Sequence, residues 1–177
     1  MLRFIDIEFI SAERKVKQSY RIYQLVDGCP EAKGLKLPMQ LKNVKIELKN
    51  NTYKIFFDVV INEDIPEDFK SEFQIMKCKD KGSLDSCEKY HKIPIPYTCK
   101  LLNANGPWLS YVQAMKPPLE CPLKKGAYKL SQGISADVQE MAKLHFVDGN
   151  FFRNSIMCFG QKSNKLIFCA SNEIQLA

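Results

Sequence analysis

Between Gln40 and Ile61 apolar and polar residues alternate with a period of two, and a period of two is an extended chain with one dry side. Val44, Ile46 and Leu48 fall on one side of the first run, and Lys45, Glu47 and Lys49 on the other. After Asn50-Asn51, the residues Tyr53, Ile55, Phe57, Val59 and Ile61 repeat the pattern, with Phe56 and Val60 making the second side partly apolar. A helix would scatter these residues around its circumference. The two runs therefore predict an antiparallel hairpin turning at the two asparagines.

Further along, Phe69, Phe73 and Ile75 predict a third strand running into Cys78, after the polar, proline-containing connection 62–68, and continuing the same antiparallel ladder. Between Lys92 and Pro122 the six prolines Pro94, Pro96, Pro107, Pro117, Pro118 and Pro122 leave room for little regular structure beyond one short helix or flap, Trp108 to Met115. Ala127 to Leu130 begins another strand, and Ser135 to Leu144 reads as a helix or an amphipathic loop. Phe151 to Phe159 and Lys165 to Leu176 alternate around Gly160 to Asn164 and predict a closing hairpin. About seven to eight short strands with almost no helical period place the chain in the all-β class, as an antiparallel sandwich or barrel.

At 177 residues, with no linker-like stretch, one core is expected. Apolar residues make up 45% and charged residues 26%, which excludes gross disorder. The net charge of +6 is spread over scattered lysines. Such a surface suits anionic lipid headgroups, acidic glycans or membranes, and nucleic acid only nonspecifically, but a plain soluble basic surface is the simpler reading. No stretch approaches the roughly twenty apolar residues of a membrane span.

Seven cysteines are spread from Cys29 to Cys169 with no CxxC, and the two histidines, His91 and His145, lie far apart. Zinc or another metal finds no ligand set in that spacing, whereas an oxidised, secreted or lumenal protein fits it. Asn50-Asn51-Thr52 adds one glycosylation sequon at Asn50. The opening MLRFIDIEFI contains Arg3, Asp6 and Glu8 and lacks a small-residue cleavage site, so it does not read as an intact signal peptide. Residues 1–19 are expected to be an N-terminal extension, whether an extra strand, a pro-segment or a non-native remnant.

The segments DGC at Asp27 to Cys29, CKDKGSLDSC at Cys78 to Cys87, CKLL from Cys99, CPLKKGAY from Cys121 and IFC ending at Cys169 together resemble the ganglioside-activator proteins. These lysosomal sphingolipid activators lie within or close to the wider ML lipid-recognition group, and insect secreted chemosensory proteins of the CheB type look similar. The resemblance covers residues 20–177 and is most specific in the CP-x-K-x-G-x-Y run. It implies a disulfide-stapled β-cup in a single lipid-binding domain, with bridges Cys29–Cys169, Cys78–Cys87 and Cys99–Cys121, leaving Cys158 as a free thiol. A further bridge of the family, near the region between Cys99 and Cys121, finds no cysteines here.

The inward positions Phe57, Val59, Phe73, Ile75 and Ile156 are core by pattern, and the resemblance turns them into pocket walls. Trp108, Tyr111 and Met115 are candidates for an apolar flap or for ordinary packing. Val138, Met141, Leu144, Phe146, Phe151 and Phe152 cluster beside the Asp148-Gly149-Asn150 turn, where the resemblance implies a cavity rim. Lys124 and Lys125 could meet an anionic headgroup, but a lysine pair at a turn is usually only solvated. The run is not a P-loop, since the glycine spacing and GK[ST] ending are missing. Neither histidine lies beside Cys121 in sequence, as a nucleophilic thiol would want. The adjacent carboxylates Glu63-Asp64 and Glu67-Asp68 read as solvated.

The expectation is a noncatalytic, cofactor-free lipid-binding protein, secreted or in the lysosomal lumen, that encloses acyl chains or another hydrophobic small molecule. Its partner would be a membrane surface, a lipid-processing enzyme or a receptor, according to whether it presents glycolipid to an enzyme or carries a chemosensory lipid signal. The rival class is a secreted adhesion or receptor-binding sandwich with a filled core. A small hydrolase would need a Ser or Cys brought to a histidine in space.

Overall fold

The computed structural model describes residues 20–49, 52–66, 68–104, 109–136 and 151–176. Among them lie ten strands: β1 (Tyr20–Asp27), β2 (Met39–Lys49), β3 (Thr52–Ile61), β4 (Phe69–Cys78), β5 (Cys87–Ile95), β6 (Met115–Lys116), β7 (Gly126–Leu130), β8 (Ile134–Ala136), β9 (Phe151–Gly160) and β10 (Leu166–Leu176). Two short helices, α1 (Thr98–Leu102) and α2 (Leu109–Ala114), stand between β5 and β6. The first sheet runs β1-β10-β9-β4-β5, and the second runs β2-β3-β7-β6 with β8 beside β3. Every pairing is antiparallel. The protein is an all-β sandwich held by three disulfides.

Both hairpins expected from alternation form, as β2–β3 and β9–β10. Within β2 the register slips between Lys42 and Lys45, where Asn43 takes a left-handed backbone at φ 52°. Asparagine tolerates that conformation better than most residues, and the bulge resets which parity faces inward. Met39 and Leu41 before it and Val44 after it all reach the same core.

The third strand does not continue the β2–β3 ladder. It pairs instead with β5 and β9 in the opposite sheet. The connection 62–68 crosses between the layers, with Ile65 buried and bridged to Leu123. Asp68 then fixes the entry to β4: its Oδ1 accepts from the Phe69 N–H at 2.7 Å and the Cys99 N–H at 3.0 Å. Alternation identifies a strand but carries no information about which strand lies beside it.

The proline-rich stretch also holds more structure than expected. β5 runs through Pro94 to Ile95 because it is the edge of its sheet, where a missing N–H breaks no ladder. Helix α2 occupies the expected short helix, and α1 is additional. Ser135 belongs to strand β8, and the remainder of the stretch to Leu144, read as a helix or loop, falls outside the described residues after Ala136.

Between the sheets one end is tightly filled by Met39, Ile61, Ile65, Phe69, Leu123 and Phe168. The outer face of the first sheet is covered by two loops. Cys29, Ala32 and Leu37 of the β1–β2 loop pack on Met157 and Cys169. The β4–β5 loop is pinned where the Gly82 N–H donates to Oε1 of the buried Glu173 at 2.8 Å. Cys78–Cys87 closes the base of that loop, and Cys29–Cys169 ties the first loop to β10.

Candidate functional site

β9 is the central strand of the first sheet, and its register with β4 is unbroken from Phe151 to Gly160. Phe152, Asn154, Ile156 and Cys158 therefore share one face, the face that meets the second sheet. Cys158 and Ile156 pack with Val59 and Tyr128 of the opposite layer. Phe73 and Ile75 of β4 lie opposite Ile156 and Asn154. On β3 the residues Phe57, Val59 and Ile61 share the corresponding inward face.

Burial along these faces is uneven. Asn154 is 2% exposed and Cys158 4% exposed, yet Ile156 between them stays partly exposed. Phe57 is likewise partly exposed, next to buried Val59 on its own face. Leu25, Val44 and Ile134 line the same core without being fully buried, and Phe73 is also half-buried. Dense packing at one end thus gives way to accessible apolar side chains at mid-strand.

Of the sequence-predicted residues, Phe57, Val59, Phe73, Ile75 and Ile156 are brought together on the two inner faces, Val59 and Ile75 being fully packed. Phe152 joins Ile75 and Ile174 in a second buried cluster. Phe151, one residue earlier, points to the outer face, its ring 5.8 Å from that of Tyr23. Adjacent strand residues point oppositely, so Phe151 and Phe152 do not line one rim. Met115 is core, paired with Leu130. Tyr111 lies on α2, but its side chain is outside the described part. Trp108, Val138, Met141, Leu144, Phe146 and the sequon residue Asn50 fall outside the described residues, as does the 1–19 extension.

Two polar residues also belong to these inner faces. Asn154 and Asn172 are paired across β9 and β10 and face inward, with Asn154 Nδ2 donating to Asn172 Oδ1 at 2.8 Å. Their signal is an asparagine in an inward slot of an otherwise apolar series, Phe152-Asn154-Ile156-Cys158 and Phe168-Ala170-Asn172-Ile174.

A concavity lies on the outside, in the gap between the two loops on the outer face of the first sheet. It encloses about 480 Å³, with Arg153 and Ser171 among its lining residues and Leu35 and Leu84 on its walls. Leu35 and Leu84 are both exposed.

In the CPLKKG turn the Lys124 side chain and the Lys125 backbone amide are engaged with Asp64. Lys124 Nζ lies 3.0 Å from Asp64 Oδ2, and the Lys125 N–H donates to Asp64 Oδ1 at 2.8 Å. The Lys125 amide and then the Lys124 ammonium hold the Asp64 carboxyl below its usual range. Tyr128 Oη donates to the Lys124 carbonyl at 2.8 Å, and Cys121 is bonded to Cys99. The turn is a staple between the layers.

Cys158 is the free cysteine, buried beside Ser71, and burial pushes its thiol up to about 11. A thiol held protonated in this way is a poor nucleophile. His91 is exposed on the edge strand β5 and stacks edge-on to Tyr90, while His145 lies outside the described residues. Three disulfides are the mark of folding in an oxidising compartment. Among the described residues no helix is long and apolar enough to cross a membrane. The chain matches no model of a known protein family and no curated protein.

Proposed function

We propose that this chain is a noncatalytic binding protein that takes up a hydrophobic ligand between its two sheets. The observation that carries this reading is the partial exposure of Ile156, inward-facing, at mid-strand, on the central strand of a five-stranded sheet. In a filled sandwich that position is the most protected of all. Phe57, Phe73, Val44 and Ile134 supply further accessible apolar wall. Each methylene of a bound chain moved from water onto that wall contributes about 0.8 kcal/mol.

The same reading accommodates the resemblance to the ganglioside-activator proteins, supported by the two-sheet architecture and the three bridges. On that footing the protein is secreted or lumenal, glycosylated at Asn50, and meets a membrane surface, a lipid-processing enzyme or a receptor. A second reading, an adhesion or receptor-binding sandwich, draws on the outer concavity with its exposed leucines.

Titration with an uncharged naphthylamine dye, followed by displacement with long-chain alcohols and native mass spectrometry, tests the proposal. Saturable dye uptake reversed by lipid in a one-to-one complex is the expected result. No uptake and no lipid adduct would leave only the adhesion reading.

A further inference from the structure

Asn154 is 2% exposed, and its Oδ1 is buried without a hydrogen-bond partner. Its Nδ2 is committed to Asn172 Oδ1. An amide carbonyl taken out of water with nothing to accept from is unfavourable, and such groups in native interiors call for an explanation. The surroundings sharpen the point. Asn154 stands on the inner face between Phe152 and Ile156, across from Ile75 on one side and Asn172 on the other. Phe152 and Ile75 beside it are fully buried, whereas Ile156, its cross-strand partner Phe73, and Asn172 are partly exposed, so accessible space adjoins the asparagine on its Ile156 and Asn172 sides.

We infer that Asn154 is the polar anchor of the inter-sheet site and that its Oδ1 selects a hydrophobic ligand bearing a hydrogen-bond donor, a hydroxyl or an amide N–H. This rests on the reading of the inter-sheet space as a ligand site and gives that site a chemistry. An apolar wall alone binds any chain of fitting length, whereas a buried acceptor discriminates strongly against a ligand that leaves it unpaired. A carboxylate, which only accepts, is repelled by the carbonyl oxygen, so an ionised fatty acid is not the ligand this position favours. The donor belongs where the chain is enclosed, not at a solvent-exposed end, because Asn154 itself is buried.

The test compares three ligands of equal alkyl length on the intact protein: dodecan-1-ol, dodecanamide and dodecyl methyl ether, which keeps an acceptor but has no donor. The alcohol or the amide is expected to bind about tenfold more tightly than the ether, the two arms telling a hydroxyl from an amide N–H. In Asn154→Leu, checked for folding by circular dichroism, that ratio falls to about one. Equal affinity of all three ligands for the unmodified protein overturns the inference and leaves the lipid site standing. Binding of none of them overturns the lipid site and the inference together.

Discussion

Cys158 Sγ lies 3.2 Å from Ser71 Oγ, and that hydroxyl lies 2.7 Å from Thr98 Oγ1, so the single free thiol closes a buried polar chain linking β9, β4 and α1. Burial raises the thiol from 9.0 to about 11, with the Ser71 hydrogen bond opposing. A thiol-reactive dye should therefore label nothing in the folded protein at pH 8 and one group per chain in denaturant.

The same shift sets a pH window for stability. Between pH 9 and 11 the unfolded chain releases the Cys158 proton while the folded one keeps it. The unfolded state then binds fewer protons, and stability falls as pH rises. The contribution is fully present below pH 9, and its loss through pH 11 is on the order of 2 to 3 kcal/mol. Urea denaturation across that range should show a slope in the unmodified protein that Cys158→Ala reduces.

Cys29 and Cys169 are 140 residues apart, and Cys78 and Cys87 only nine. If the bridges act chiefly on the unfolded chain, removing the long one with paired alanines costs on the order of 5 kcal/mol, and removing the short one about 2.5. Equal losses in urea denaturation would show that local packing, not loop closure, governs the effect.

Gly133 sits at φ +67°, and a Cβ built there would come within 2.7 Å of the Phe56 ring. Gly133→Ala is expected to destabilise the β7–β8 turn by about 1 to 2 kcal/mol from the backbone alone. A further loss from the ring contact should disappear when Phe56→Ala is added.

Much of this architecture is written in local pattern. The strands from Met39 to Ile61 and from Phe151 to Leu176 announce themselves by alternation, although in the second pair both sides are largely buried, the outer one beneath the loop that packs on Met157 and Cys169. The move of β4 into the opposite sheet is not local, since it depends on Ile65 bridging Leu123 and on Asp68 holding Phe69 and Cys99. Edge strand β5 was hidden by Pro94, which is compatible with a strand only when one side has no neighbour. At the candidate site Phe57, Phe73 and Ile156 were legible as inward residues, but their accessibility was not, because periodicity reports which way a side chain points and never what stands opposite it. The turn from Cys121 to Gly126 reads as basic chemistry, and the Lys124 ammonium meets Asp64, which arrives from a different part of the chain and also accepts from the Lys125 backbone N–H.

If the space beside Ile156 is open, a larger side chain should fit there at the ligand's expense. Ile156→Trp is expected to lower dye and lipid affinity at least tenfold with an unchanged or raised urea midpoint. A drop in stability of about 1 to 3 kcal/mol, the usual result of overpacking, would mean that the interior was already full.

Nuclear Overhauser contacts between a deuterium-edited protein carrying labelled isoleucine methyls and a protonated long-chain alcohol measure occupancy of the inter-sheet space directly. Contacts are expected from the alkyl chain to the methyls of Ile156 and of Ile134 across the sandwich, two residues that pack against the same core. Contacts confined to surface methyls, or none at saturating alcohol, would contradict uptake between the sheets.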